Sequence, residues 1–333
     1  IQTQLLFFDL EWAALDDERA EELLATPGLE FAEHHLRNER RYRDHLLSAP
    51  EERIITEMSV TGSGAWSRLF DELTSAIRVD LPGEDEPVSL DIALSGLHNP
   101  DREVRKATAE AVTESLQPGL RTRAYVFNTL LQDKATSDRL RSFPHWLATR
   151  NLSNEASDES VQALIEAVKG RYDLARSWYR TKAKLLGIDR LADYDRMAAT
   201  AVDDEKIEWE QGREIVQEAF TSLAPEAGDV VERFFDERWI DAGPRPGKRG
   251  GAFCMSFTGD RSLVFLNWSG SVDSAQTTAH ELGHAYHNTQ LAHRTPLQRS
   301  LPMALAETAS IFCETLVVEE GLQRLQGRDR LAL

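Results

Sequence analysis

Apolar residues along most of the chain recur three and four positions apart, which is the spacing of one face of an α-helix. The pattern predicts largely helical structure over residues 3–80, with helices at 18–24, 33–47 and 65–77. Further helices are predicted at 120–131, 157–186, 205–223 and 230–239. In the long 157–186 segment, the periodic positions predict a buried stripe formed by Val161, Leu164, Ile165, Val168, Tyr172 and Tyr179. The chain is therefore predicted to be mostly α-helical.

Two stretches depart from this pattern and predict β-hairpins. Apolar residues at 77–81 and 88–90 flank a Pro-Gly turn, and we place a lobe boundary near residue 90. Segments 252–257 and 262–267 flank a Gly259-Asp260 turn and immediately precede another helical segment. We therefore expect a small β-sheet beside that helix.

The length of the chain allows one large domain or two ordinary ones, since it has 333 residues. We expect an N-terminal helical lobe over residues 1–90 and a second domain, which carries the chemistry, over residues 91–333. The chain begins at Ile1 without an initiator Met and stops at Leu333 soon after its candidate site. We therefore expect both domains to be incomplete parts of a longer protein.

The charge of the chain restricts its partners. A formal net charge of −18 argues against nucleic acid as the main partner, because phosphate groups bind to basic surfaces. The local cluster Arg37, Arg40, Arg41 and Arg43 is interpreted as a solvated face that pairs with nearby acids. No apolar run approaches 18 residues, so no membrane span is expected. Two cysteines do not form a disulfide framework and favour a reducing compartment, so a cytoplasmic location is predicted.

The candidate chemistry lies in His280-Glu281-Leu282-Gly283-His284, which has the H-E-x-x-H pattern of zinc hydrolases. On a helix, two histidines four positions apart share a face about 6 Å apart along the axis and can converge on one Zn²⁺. Glu281 then points to the side of the ion, where it can hold and activate a water molecule. Asp273 and Gln276 have the spacing of a capping box and predict a helix that begins near Ser274.

A catalytic zinc also needs a third protein ligand. The metzincin arrangement requires Gly and His where this chain has His287 and Gln290, so that class is excluded. His287 lies about 10 Å along the axis from His280, which is too far for both to reach one ion. His293 falls in a predicted loop and is interpreted as a free histidine.

Glu307 is the first carboxylate after the two histidines, on a second predicted helix opened by Ser300 and Pro302. An antiparallel return of that helix would complete the His₂Glu ligand set of thermolysin-type enzymes. Glu314 is seven positions further along the same face. It either orients a ligand imidazole from behind or faces solvent.

The glycine-rich stretch before the second hairpin lacks the order of a phosphate-binding loop, which argues against nucleotide binding. Gly250 and Gly251 lead into Ala252 and Phe253, and paired glycines allow another backbone to approach closely. These four residues are predicted to bind a substrate peptide by strand addition. An ordinary hairpin with a flexible entry is the alternative.

Several segments carry a family resemblance. They are His280–His287, Ala306–Glu314, Gly247–Phe253, Asp101–Arg105, Leu152–Glu155 and Lys182–Gly187. Together they resemble the oligoendopeptidase F group of the thimet oligopeptidase family, and the resemblance covers nearly the whole chain. It implies a mostly α, multi-helical gluzincin (thermolysin-like zincin) peptidase with a small β-sheet beside the zinc-binding helix. It also implies short peptide substrates held in a deep channel between helical lobes, from which folded proteins are excluded by size.

The family carries, beyond its zinc helices, a His and Tyr segment that stabilises the tetrahedral intermediate and the substrate. This chain ends before such a segment, so a C-terminal part of the same protein is expected to complete the active site. Without that oxyanion donor, turnover is expected to fall by roughly a hundredfold or more.

The predicted function is a zinc-dependent metalloendopeptidase of short oligopeptides. Zn²⁺ would be bound by His280, His284 and Glu307, with Glu281 as the general base that deprotonates the attacking water. One alternative is a zinc carboxypeptidase-like exopeptidase, which would need a free peptide terminus. The other is a non-catalytic helical binding protein that retains a metal site. The intact Glu281 argues against the latter, because structural zinc sites are usually closed by four protein ligands.

Overall fold

The computed structural model describes residues 2–198, 206–245, 247–324, 326–327 and 330. Its helices are α1 Gln2–Ala14, α2 Asp17–Leu24, α3 Glu33–Arg40, α4 Ala49–Met58, α5 Ser63–Ser75, α6 Leu90–Ser95, α7 Arg102–Leu116, α8 Leu120–Leu140, α9 Ala148–Ser153, α10 Asp158–Lys169, α11 Tyr172–Leu185, α12 Trp209–Leu223, α13 Pro225–Asp236, α14 Val272–Gln290 and α15 Met303–Arg324. The strands are β1 Arg78–Val79, β2 Val88–Ser89, β3 Ile240–Asp241, β4 Phe253–Ser256 and β5 Ser262–Phe265. The predicted mostly α-helical fold with small sheets is confirmed.

The predicted 157–186 helix is wrong in two respects. It is divided into α10 and α11 at Gly170 and Arg171, where glycine is a poor helix former. The stripe predicted to be buried is also largely exposed: Leu164, Val168 and Tyr172 are 63%, 53% and 50% accessible. Helical spacing identifies an apolar face in this segment, but it does not show whether another part of the protein packs against that face.

The bounds of two later helices also differ from prediction. The predicted 205–223 helix is present as α12 from Trp209, and its first predicted residue lies outside the described ones. The predicted 230–239 helix is α13, which starts earlier because Pro225 occupies its first turn. It ends at Asp236, so that β3 can follow. None of the described helices combines the length and the apolar composition needed to cross a bilayer.

The chain divides into two compact units. The first contains Ile1–Leu73, Gly119–Ala167 and His293–Leu305. The second contains Thr74–Pro118, Val168–Ala292 and Ala306–Leu333. The predicted functional division into 1–90 and 91–333 stays a prediction.

The first unit has a small core close to the N-terminus. Its buried residues are Trp12, Ala20, Leu24, Ala32 and Leu36. The indole Nε1 of Trp12 donates a hydrogen bond to the carbonyl of Leu36 at 2.7 Å. Arg40 lies over the Trp12 ring and pairs with Asp17 at 2.6 Å. The predicted basic cluster is thus a face paired with acidic side chains.

The second unit is built around a larger core, to which α12, α13 and α14 and the second sheet contribute. Its fully buried residues include Val216, Phe220, Val231, Phe234, Ala279, Leu282 and Ala285. The order of the sheet is β3-β5-β4, in which β4 and β5 form the predicted antiparallel hairpin. The parallel strand β3 was not predicted, because two residues are too few to show a strand pattern. The predicted hairpin at 77–90 is confirmed by the pairing of β1 with β2.

Helices α14 and α15 approach each other at Gly283. A Cβ atom built on Gly283 would lie 2.8 Å from Ser310 Cα and 3.0 Å from the carbonyl oxygen of Ala309. Real Cβ atoms do not tolerate such distances to backbone atoms, so the contact requires a glycine. It brings the segment around Glu307 to the face of α14 that carries the two histidines.

We predict that Gly283→Val separates α14 from α15 and lowers the free energy of unfolding by about 2 kcal/mol or more. The matched control is Gly243→Val, because a Cβ atom at Gly243 meets nothing within 4 Å. Urea denaturation followed by circular dichroism measures both changes. Equal stability of the two variants would show that the α14–α15 contact does not need glycine.

Candidate active site

Helix α14 begins earlier than predicted. Its N-cap is Ser271, whose side chain accepts a hydrogen bond from the Ser274 backbone N–H at 3.1 Å. Ser274 Oγ in turn accepts from the Ser271 backbone N–H at 3.0 Å. This reciprocal cap, rather than Asp273 with Gln276, sets the start of the helix at Val272. His280 consequently lies in the third turn of α14.

Three predicted metal ligands come together on the facing surfaces of α14 and α15. One donor atom each from His280, His284 and Glu307 lies within 4.8 Å of the others. Glu307 Oε2 is 3.2 Å from His280 Nε2 and 3.6 Å from His284 Nε2. Two imidazole nitrogens and one carboxylate oxygen directed at a common point match the donor set that zinc prefers.

The donors are held from behind by two further contacts. Glu314 Oε2 lies 3.1 Å from His280 Nδ1, so a proton on Nδ1 leaves the Nε2 lone pair free for a metal. The hydroxyl of Ser310, which is fully buried, donates to Glu307 Oε2 at 3.0 Å. Glu314 contacts the His280 imidazole while its side chain stays 40% accessible, and its orienting role stays a prediction.

The protonation of His284 is shaped by its surroundings. Burial lowers the pKa of His284, and the neighbouring His280 and His287 lower it further, while Glu307 opposes them. The neutral imidazole is therefore favoured at neutral pH, and this is the form that coordinates a metal. The side chain is 19% accessible, so the site is recessed but open.

Glu281 lies beside this group in an unusual environment. It is 6% accessible, and its Oε2 atom has no hydrogen-bond partner among the described residues. Burial raises the pKa of Glu281; the charge of His280 and the Cys254 backbone N–H lower it in part, while Glu307 raises it further. Burial also raises the pKa of the Cys254 thiol to about 12, so that this neighbour stays neutral. A partly desolvated carboxylate with a free oxygen is well suited to accept a proton.

In the part of the chain that the structure describes, no strand pairs with the outer edge of β4, and this edge lies beside Glu281. The N–H groups of Val264 and Leu266 point to the β3 side, where they donate to Trp239 and Asp241. Since backbone groups alternate along a strand, Phe253 and Met255 bond to β5, while Ala252, Cys254 and Ser256 face outward. The hydrogen bond from the Cys254 N–H towards Glu281 agrees with this alternation.

Contacts and backbone conformation within the protein account for the two glycines that precede β4. A Cβ atom on Gly250 would lie 2.5 Å from Asp91 Oδ1, and Gly251 has a positive φ of 81°. Gly251 therefore needs glycine for its backbone conformation, and a side chain at position 250 would have to displace the Asp91 carboxylate, whether or not a peptide binds. Upstream, the Lys248 ammonium is buried and donates to the carbonyls of Asp241 and Gly243 at 2.9 and 3.0 Å. These bonds stabilise the loop that leads into β4.

The two other histidines that follow the motif, His287 and His293, lie outside the candidate site, as predicted. His287 is on α14 outside the group of three donors, and burial lowers its pKa. His293 is in the turn after α14.

Three relevant residues were not anticipated. Ser310, which positions Glu307, has a local signal because it follows Glu307 by three positions on one helix. The only sequence feature that distinguishes Gly283 is its position inside a predicted helix. Glycine destabilises a helix there, so its presence is a hint of close packing. Asp91 lies far away in sequence, and no local pattern connects it with β4.

Two family models match the chain. The model described as Peptidase family M3 matches residues 95–331, and the one described as Oligopeptidase F matches residues 11–78. The group B oligopeptidase PepB of Streptococcus agalactiae is 25% identical over 93% of this chain and 53% of its own length. The oligopeptidase PepF of Bacillus subtilis is 23% identical over 93% of this chain and 47% of its own length. The chain thus spans about half the length of these curated relatives.

Solved structures share the fold. The oligoendopeptidase F of Enterococcus faecium has a TM-score of 0.63 at 20% identity, covering 98% of this chain and 53% of that one. PZ peptidase A with an inhibitor has a TM-score of 0.77 at 16% identity, covering 94% of this chain and 57% of that one. The resemblance to the oligoendopeptidase F group is confirmed. Because the M3 model covers well over half of its residues, the chain belongs to peptidase family M3.

Proposed function

We propose that this chain carries the catalytic site of a zinc-dependent metalloendopeptidase that hydrolyses short peptides. One observation supports this above all: His280, His284 and Glu307 converge beside Glu281, a buried carboxylate with an unpartnered oxygen. The family and the oligopeptidase names of the relatives support peptides as substrates.

The three donors are proposed to hold one Zn²⁺, because their chemistry and convergence fit that ion. When bound, zinc would supply Lewis acidity that polarises the scissile carbonyl and acidifies water. Glu314 keeps His280 in the tautomer whose Nε2 can coordinate, and Ser310 restricts the rotation of Glu307. These contacts preorganise the ligands before any ion arrives.

Glu281 is proposed to act as the general base. Its carboxylate accepts a proton from the attacking water, which releases the oxygen to bond to the carbonyl carbon. The same carboxyl group then donates that proton to the departing amide nitrogen, so the group returns to its initial state. Burial, which raises its pKa, increases its affinity for the proton in transit.

The free edge of β4 is proposed to bind the peptide backbone, with Gly250, Gly251, Ala252 and Phe253 forming the entry and first part of the strand. The outward backbone groups of Ala252 and the carbonyl of Cys254 lie along the approach to Glu281, towards which the Cys254 N–H itself donates. Recognition through backbone groups agrees with an endopeptidase, which has no need of a free terminus. Blocked peptides test this point, because an exopeptidase would leave them intact.

A C-terminal part of the same protein is proposed to supply further groups, in line with the partial coverage of the relatives. Cys254 and Cys313 are free thiols, which is compatible with the predicted cytoplasmic location. Activity measurements below therefore refer to the protein as its gene encodes it.

We predict one zinc ion per chain for the parent and a loss of zinc for His284→Ala and Glu307→Ala, because each removes one of three donors. His287→Ala, on the same helix but outside the donor group, is the matched control and should keep its zinc. Glu314→Gln should weaken zinc binding about tenfold to a hundredfold. Metal analysis after dialysis measures these contents, and unchanged zinc in either alanine variant removes that residue from the ligand set.

Glu281→Gln is predicted to lower kcat by about two to four orders of magnitude while zinc content and peptide binding remain. Glutamine preserves the size of the side chain and removes its affinity for the proton. Glu226→Gln, an exposed position on α13, is the control for the charge change. Hydrolysis of a quenched fluorescent peptide is measured together with zinc content. Near-parental kcat would contradict the role of the base, and joint loss of zinc and activity would assign Glu281 a structural role.

If the peptide pairs with β4, methylation of its backbone amides should weaken binding at every second residue, because only alternate amides face β4. A peptide N-methylated at amides that face β4 should show a KM raised about tenfold, since each methyl group removes one hydrogen bond. Methylation of the intervening amides serves as the control and should change KM little. If KM were the same for every methylation site along the peptide, β4 would be an ordinary hairpin strand that does not bind the substrate backbone.

A further inference from the structure

A cavity of about 450 Å³ adjoins Glu281 in the second unit. Its walls come from α6, the residues that follow β5 and the N-terminal half of α14. Three carboxylates line it, those of Asp91, Asp273 and Glu281, and His98 is the only other titratable side chain among its described lining residues. Neither Lys nor Arg contributes to this described lining. The cavity is therefore acidic, and it opens directly from the candidate base.

The three carboxylates that line the cavity have different surroundings. Asp91 is pressed against the entry to β4, where its carboxylate oxygens occupy the space that a side chain at Gly250 would need. Glu281 is more than nine-tenths buried, and its Oε2 lacks a hydrogen-bond partner among the described residues. Asp273 is exposed in the first turn of α14. The unpartnered oxygen of Glu281 is kept for the attacking water, whereas the carboxylates of Asp91 and Asp273 give the rest of the cavity a negative charge that favours a cationic ligand.

The direction of β4 relates this cavity to a bound peptide. A peptide that pairs antiparallel with β4, the more stable arrangement, has its C-terminal part next to the start of that strand. Gly251 and Ala252, just before the start of β4, line the cavity. Residues on the carboxyl side of a scissile bond held at Glu281 therefore lie towards the cavity.

We infer that this cavity is a specificity subsite for a Lys or Arg side chain at the position immediately after the scissile bond. The inference rests on the proposed peptidase function and adds to it a substrate class: peptides with a basic residue on the carboxyl side of the cleaved bond. An ammonium or guanidinium group there pairs with the carboxylates of Asp91 and Asp273, which a neutral side chain cannot do, and leaves Glu281 to the attacking water.

The test uses the zinc-loaded protein as encoded and a set of blocked, quenched fluorescent peptides. They are identical except for Lys, Gln or Glu at the position after the cleaved bond, or at the position before it, and mass spectrometry locates the cut. We expect kcat/KM to be about tenfold higher for Lys than for Glu after the bond. No such preference is expected before the bond.

Asp91→Asn and Asp273→Asn should each reduce the Lys-to-Glu ratio, and the double variant should reduce it to within about twofold of unity. Asn preserves the shape of each side chain, so the packing of Asp91 against Gly250 is retained. Asp229→Asn, an exposed position on α13, removes one charge elsewhere and should keep the parental ratio.

The outcomes separate this inference from the proposed function. Hydrolysis with equal rates for Lys and Glu, or a basic preference only before the bond, overturns the subsite while the peptidase stands. A ratio unaffected in the double variant also overturns it. Failure to hydrolyse any peptide overturns the proposed function and the subsite together.

Discussion

The candidate site depends on how closely two helices can approach each other. Gly283 lies in the interior of α14, between the two histidines and against Ser310 of α15, and the gap between the helices has no space for a Cβ atom. At this distance the carboxylate of Glu307 reaches both imidazoles. A wider separation would move the Glu307 carboxylate out of reach of both imidazoles. The glycine inside the motif is thus a geometric requirement for the third donor.

The second determinant is the placement of Glu281 against β4. The helix turns this carboxylate away from the imidazoles and under the edge of the sheet, where burial and a single backbone N–H define its environment. The sheet is held in turn by the bonds of Lys248 across the loop that leads into β4. The three candidate donors are positioned by contact between two helices, and the candidate base is positioned by contact between a helix and a sheet. These are separate structural requirements on the same short motif.

The part of the site that follows from local geometry could be predicted from sequence. The four-residue spacing of His280 and His284 fixes their common face, and Glu307 was identified because it is the first carboxylate that follows them. Features that depend on distant segments could not be predicted. Asp91 meets Gly250 only in the folded second unit, and the exposed stripe on α10 and α11 shows that spacing does not determine burial. The start of α14 was misplaced because two overlapping segments both had capping spacing, and only the structure identifies Ser271.

The free edge of β4 has a consequence for which molecules the proposed enzyme can select. Backbone groups are the same in every peptide, so an edge strand recognises an extended conformation before it recognises any side chain. A segment folded into a helix already uses its own amides, and a proline has none to offer. Each must lose structure or a hydrogen bond in order to bind. Such a strand binds a peptide more readily when the peptide can become extended without first losing other structure. It therefore favours unfolded fragments of many proteins over any segment held in a stable fold.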